Sequence, residues 1–252
     1  MAALFSGLYL TRIELRQPVD AELAQSYVFS LPAVKHLGRL ELRQPVTFLV
    51  GENGTGKSTL LEAIAVACGF NPEGGTRNFS FSTSDTHSLL HRALIVSKGV
   101  KRPKDGFFLR AESFYNVATE VDRLDKITPV PLLKSYGGRS LHCQSHGESF
   151  LALMLHRFGG QGLYLLDEPE AALSPSSLFA MLIQMRNLVE QDSQFLIATH
   201  SPILMAYPGA EIYQLDEVGI RLTPYGETSH YLLTRQFLNY PQKMLEDLFR
   251  ED

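Results

Sequence analysis

Gly51-Glu52-Asn53-Gly54-Thr55-Gly56-Lys57-Ser58 is the stretch that decides the fold. It fits the pattern G-x-x-x-x-G-K-[ST] in full. Its surroundings agree. Val46–Val50 (VTFLV) before it is an almost unbroken apolar run, interrupted only by Thr47, as expected of a strand buried on both faces of a sheet. Thr59–Cys68 after it places Leu60, Leu61, Ile64 and Ala65 at helical spacing. The glycines let the backbone turn tightly, so that successive N–H groups point inward at phosphate oxygens. A helix starting near Lys57 adds its positive end to the same anion. Lys57 supplies a point charge for the β- and γ-phosphates, Ser58 a hydroxyl for Mg²⁺, and Thr59 a bond to the α-phosphate.

A second apolar run, Gly162–Leu166, ends in Asp167-Glu168-Pro169. Ligands of parallel sheets bind beyond the carboxyl ends of the strands. Asp167 is therefore expected beside the phosphates as a Mg²⁺ holder, and Glu168 as the base for an attacking water.

The rest of the chain alternates strands and helices. Strands are predicted at Leu8–Leu15, Arg39–Leu42, Phe195–Ala198, Glu211–Leu215 and Gly219–Thr223, the last two as a hairpin. Leu94–Ser97 and Gly106–Arg110 read as another hairpin. Its tip, KGVKRPKD, carries Lys98, Lys101, Arg102 and Lys104. Helices are predicted at Asn116–Leu124, Glu148–Phe158, Ser176–Glu190 behind Pro175, and Tyr231–Asp252 with a break at Pro241. Phe70–His87 reads as a loop. Ile127–Gln144, with Pro129, Pro131, Gly137 and Gly138, reads as mobile. The pattern implies an α/β fold with a mostly parallel central sheet.

Composition sets the outer limits. The chain has 252 residues, 44% of them hydrophobic and 20% charged, with a net charge of −4. That is enough apolar material for a packed core, and it excludes disorder as the main state. No apolar run approaches the roughly 18 residues that cross a bilayer, and Met1–Leu10 lacks the basic start of a secretory signal. Cys68 and Cys143 are too few for a disulfide framework or a zinc cluster. A cytoplasmic protein is expected, without the global basic field of a nucleic-acid coat.

Three further segments follow in order: Ser145-His146-Gly147-Glu148-Ser149 opening a helix, Ala172-Leu173-Ser174-Pro175 after the acidic pair, and Thr199-His200-Ser201 after the third buried strand. With the two motifs above, the chain resembles the ABC-type ATPase superfamily over most of its length. The run DEPEAALSP resembles the soluble branch of SMC, RecF and overcoming-lysogenization ATPases, often grouped as AAA-family. The resemblance implies a P-loop NTPase fold of ABC type in a single domain over residues 1–252, with an antiparallel β portion and a helical lobe at roughly 111–160. It implies ATP and Mg²⁺ as ligands and an ATP-dependent homodimer. Ser145 and Gly147 would contact the γ-phosphate held by the opposite copy, with Glu148 completing this nucleotide-binding segment where the family often has Gln or Glu. Ser174 would link the two sites, and His200 would be the switch histidine on the γ-phosphate.

Two departures stand out. The family's serine-glycine-glycine signature core is Ser-His-Gly here. Between Ser58 and Cys143 there is no glutamine, where the family has one touching Mg²⁺ and the attacking water. Glu112 or Ser113 occupies the equivalent position. For the adenine contact, Tyr27, Phe29 and Arg12 are rivals. Only 87 positions separate Ser58 from Ser145, so no long coiled-coil arm is inserted. The expected activity is ATP hydrolysis by a dimerising head that drives an unidentified protein partner in DNA maintenance or phage defence. The alternatives are a transporter's ATP-binding subunit and an ATP-gated nucleic-acid-binding module using the basic tip.

Overall fold

A computed structural model describes residues 7–77, 88–129 and 131–250. Its elements are β1 (Leu10–Leu15), α1 (Ala21–Ala24), α2 (Pro32–Lys35), β2 (Arg39–Glu41), β3 (Val46–Val50), α3 (Lys57–Ala67), β4 (Leu94–Lys98), β5 (Asp105–Arg110), α4 (Phe114–Ile127), α5 (His146–His156), β6 (Gly162–Asp167), α6 (Pro175–Glu190), β7 (Gln194–Ala198), α7 (Pro202–Met205), β8 (Glu211–Leu215), β9 (Ile220–Leu222), α8 (Ser229–Asn239) and α9 (Pro241–Leu248). Most of the predicted loop Phe70–His87 lies outside the described residues.

The central sheet runs β5-β6-β7-β3-β8-β9. All neighbours are parallel except the β8–β9 hairpin. The nearly continuous apolar runs have a physical reason. In β3, Val46, Phe48 and Val50 face a core built with α4, α5 and α6, while Leu49 faces a core built with α3 and β1. In β6, Tyr164 and Leu166 face the first core, and Leu163 and Leu165 the second. β7 divides likewise: Phe195 and Ile197 on one side, Leu196 and Ala198 on the other. A strand covered on both faces has no polar face to show.

A second sheet, β2-β1-β4, is antiparallel and lies over the α3 side. Its topology corrects one expectation. β4 and β5 do not form a hairpin: β4 pairs with β1, and β5 pairs in parallel with β6. Burial explains the split. Four successive residues of β5, Gly106–Leu109, are buried, which suits the middle layer, whereas β4 is buried only at its first residue. The basic stretch is thus a crossing between two sheets. Lys101 meets Asp192 there at 3.5 Å, and the Lys104 N–H donates to the Gln161 carbonyl.

The segment expected to be mobile is anchored instead. It forms short 3₁₀ turns at Leu132–Tyr136 and Leu141–Cys143. Tyr136 is buried in the first core, the Leu133 N–H donates to Asp125, and the Ser140 hydroxyl donates to Asp122. The C-terminal helical run divides at Pro241, which opens α9 as its first residue. No helix among the described residues is long and apolar enough to cross a membrane.

Candidate functional site

Parallel pairing brings the ends of three buried strands to one edge. Asp167 is in register with Ala198, and Ala198 with Leu49. The Thr199 N–H donates to the Leu49 carbonyl, and the Glu168 N–H to the Ala198 carbonyl. The glycine-rich turn after β3, the acidic pair after β6 and the histidine after β7 therefore meet at one place.

The turn is built as its sequence requires. Gly51 has φ 155°. A Cβ there would come within 2.2 Å of the Leu215 carbonyl oxygen, so β8 leaves room for hydrogen only. Gly56 has φ 94° and lies against Leu31 and Ala33. The Ala33 N–H of α2 donates to the Thr55 carbonyl and braces the turn from outside. Thr55 Oγ1 donates to the Glu52 carbonyl at 2.8 Å. Lys57 is almost wholly buried, and its Nζ donates to the carbonyls of Gly51 at 2.8 Å and Glu52 at 3.0 Å. Burial holds its pKa below the usual lysine value, while Glu168 and Asp167 pull the other way. An ammonium group supported only by carbonyl oxygens keeps its charge available for an anion.

Asp167 is buried, and one of its oxygens, Oδ1, has no hydrogen-bond partner. Burial pushes its pKa up to about 7. The Ser58 hydroxyl, bonding the carboxylate, opposes this, and Glu168 adds to it. A buried orphan carboxylate oxygen beside a hydroxyl is a donor set for a hard divalent cation. The residues present therefore fit a triphosphate with Mg²⁺.

Glu168 stands in the left-handed region, at φ 47° and ψ 51°. For a residue with a side chain this costs about 1–2 kcal/mol. The sharp turn leaves its Oε1 3.3 Å from His200 Nε2, though out of hydrogen-bond alignment. Two residues on, Glu170 Oε1 accepts from the Thr199 hydroxyl at 2.7 Å and the His200 N–H at 2.5 Å. The other ring nitrogen of His200, Nδ1, lies 3.1 Å from Nε2 of His230 on α8.

The structure does not bring the other predicted residues to this edge in the same way. Ser145 caps α5 and bonds Glu148 reciprocally: its N–H and hydroxyl donate to Glu148 Oε2, and the Glu148 N–H donates to Ser145 Oγ. This holds the Glu148 carboxyl below its usual pKa. A Cβ on Gly147 would meet the Ala172 carbonyl at 2.7 Å, so this glycine lets α5 press on the segment after the acidic pair. Ser174 caps α6 through the Ser177 N–H.

Glu112 follows β5, whose last residue, Arg110, is in register with Asp167. Its side chain is exposed and meets Arg110 at 3.1 Å. Arg110 also meets Glu62 at 2.6 Å. The Ser113 hydroxyl donates to the Glu73 carbonyl. Of the adenine candidates, Tyr27 is 70% exposed, Phe29 packs against the second core, and Arg12 meets Glu14 at 3.3 Å. Sequence reasoning missed Glu170 and His230. Glu170 had a faint signal, standing in the same DEPE run; His230 had none.

The chain is similar to known proteins over the segments that build this edge. An "AAA domain" model matches residues 29–107. One described as "AAA domain, putative AbiEii toxin, Type IV TA system" matches residues 92–206. The chain is 32% identical over 173 residues to the cytochrome c biogenesis ATP-binding export protein CcmA of Rhizobium etli, covering 62% of this chain and 75% of that protein. It is 27% identical over 197 residues to the cobalt import ATP-binding protein CbiO of Salmonella typhimurium, covering 73% of this chain and 72% of that one. The fold is similar to the solved "inward-facing conformation of a putative metal-chelate type ABC transporter", with TM-score 0.50, 17% identity, and 91% and 88% of the two chains covered.

Proposed function

This chain belongs to the ABC-type ATPase superfamily, and from that premise we propose that it binds ATP at the Gly51–Thr59 turn and hydrolyses it between two copies of itself. The observation that carries the reading is the convergence of three strand ends: a buried ammonium, a buried unpartnered carboxylate oxygen and a Glu168–His200 contact at one sheet edge.

Main-chain N–H groups from Gly51 to Lys57 and the start of α3 hold the phosphates, with Lys57 as their positive point charge. Ser58 and Asp167 hold the metal. A Mg²⁺ ion held there would supply charge neutralisation for the phosphates. Glu168 accepts a proton from water as the water oxygen bonds to the γ-phosphorus. The bond to the β-phosphate oxygen breaks, leaving ADP and inorganic phosphate. His200 donates from Nε2 to the outermost phosphate, and Lys57 stabilises its charge. Ser145, Gly147 and the N-terminal end of α5 contribute from the second copy, so ATP completes the interface and hydrolysis loosens it.

Support for a dimer comes from the family resemblance of the segment that opens α5; in the single chain Ser145 gives its N–H and hydroxyl to Glu148, and that pair would have to open toward a phosphate of the second copy. Driving a separate, unidentified protein partner, with DNA maintenance or phage defence as its setting, is the leading use of that cycle. The names of CcmA and CbiO favour a second use, as the ATP-binding subunit of a membrane transporter. Co-purification with an integral membrane protein distinguishes the two.

Glu168→Gln tests the chemistry. ATP affinity should stay close to that of the wild type while turnover falls by about 10²–10⁴, the usual worth of a general base. A variant that hydrolyses ATP at the wild-type rate rejects the assignment.

A further inference from the structure

His230 lies in the first turn of α8, thirty residues from His200 in the chain, and its ring touches the site from outside. The geometry points to His230 as a positioning residue that holds His200 with its proton on Nε2, facing Glu168 and the outermost phosphate. This rests on the role given to His200 above.

Counting protons decides between the tautomers. His200 Nδ1 and His230 Nε2 are 3.1 Å apart, with the rings edge to face at 62°. Between two neutral imidazoles only one hydrogen occupies such a contact. Were it on His200 Nδ1, the lone pair of His200 Nε2 would face Glu168 Oε1 at 3.3 Å, and later a phosphate oxygen. Two electron-rich atoms would then be opposed at a half-buried site. With the hydrogen on His230 Nε2, His200 accepts at Nδ1 and carries its own hydrogen on Nε2, on the side of the ring that lies near the carboxylate. His230 Nδ1 is then an acceptor, and the Ser229 hydroxyl is 3.5 Å away to use it. The His200–His230 contact and the Ser229 hydroxyl are satisfied in both arrangements, so the 3.3 Å approach of His200 Nε2 to Glu168 Oε1 decides: a hydrogen on Nε2 is attracted by that carboxylate and a lone pair is repelled.

Both rings are held from their backbones. The His200 N–H is fixed by Glu170, and the start of α8 by the Ser229 N–H donating to Gln214 Oε1 on β8 at 3.1 Å. Burial, and His200 itself, lower the pKa of His230, which keeps it neutral. The contact also ties α8 to the nucleotide edge.

The test uses the nucleotide-free full chain, with its histidines labelled with ¹⁵N, near pH 8. The expected result is a ¹⁵N–¹⁵N coupling across the hydrogen bond between His230 Nε2 and His200 Nδ1, with the proton on His230. In parallel, His230→Leu should lower kcat for ATP by roughly 10–100-fold, as loss of an outer partner of a site histidine does, with KM little changed. His230→Gln, whose amide can still donate to Nδ1, should recover most of the rate. A proton found on His200 Nδ1, or a Leu variant as active as the wild type, overturns the inference. Equal losses in the Leu and Gln variants overturn it too, because they point to packing alone. Normal hydrolysis by His200→Ala with the coupling intact also overturns it, but through the reading of His200 rather than through the bond.

Discussion

Replacing Asp167 with asparagine should stabilise the empty protein while damaging the site. The carboxyl is only 5% exposed, and burial pushes its pKa from 3.8 up to about 7. Its folded-state pKa is raised, so the native chain retains a proton that the unfolded chain has lost. Stability therefore falls as pH rises from about 4 to about 7, then levels off. Asparagine keeps the shape of the protonated acid and does not titrate. Each tenfold difference in proton affinity between the folded and unfolded chains is worth about 1.4 kcal/mol. The stability gap in favour of asparagine should therefore be about 1 kcal/mol near pH 4.5 and about 4 kcal/mol near pH 8. Urea unfolding in the presence of a chelator, at both pH values, reads the gap directly. With MgATP the order should reverse, because only the wild type gains the full stabilisation of the bound ligand. A gap that does not change with pH, or a wild type that is the more stable of the two near pH 8 without ligand, would show that burial does not hold this proton.

Two further outcomes follow from the geometry. Gly51→Ala would place a methyl 2.2 Å from the Leu215 carbonyl oxygen. It should cost about 1–3 kcal/mol or more through overpacking, seen as a lower Tm, and a variant of unchanged Tm would contradict that close approach. Ser145→Arg should leave ATP binding by the single chain intact and block the ATP-dependent dimer, measured by light scattering in the Glu168→Gln background. A dimer that still forms would end the opposed-site model.

Much of this site could be read in the sequence because its parts are local. The turn, the acidic pair and the histidine each follow a strand that is apolar along nearly its whole length, and parallel pairing then aligns the ends. The β4–β5 hairpin misled because nearness along the chain does not specify pairing. The burial patterns of Leu94–Lys98 and Asp105–Arg110 differ, and each strand went to the sheet that its pattern suits. The segment before α5 looked mobile from its prolines and glycines, yet Tyr136 and Leu141 bury themselves and hold it. Glu170 and His230 act through side-chain bonds spanning thirty residues each, and no periodicity records such a bond. At Ser145 the sequence S-x-x-E was visible, but its first effect is local: it closes a capping box.

The function proposed for this chain depends on the Gly51–Ser58 turn and Lys57 gripping a triphosphate. Titration calorimetry of ATP with Mg²⁺ into wild type and Lys57→Ala measures that grip. One ATP should bind per chain of the wild type, with no measurable binding to the variant. Equal affinity in the two proteins would contradict it.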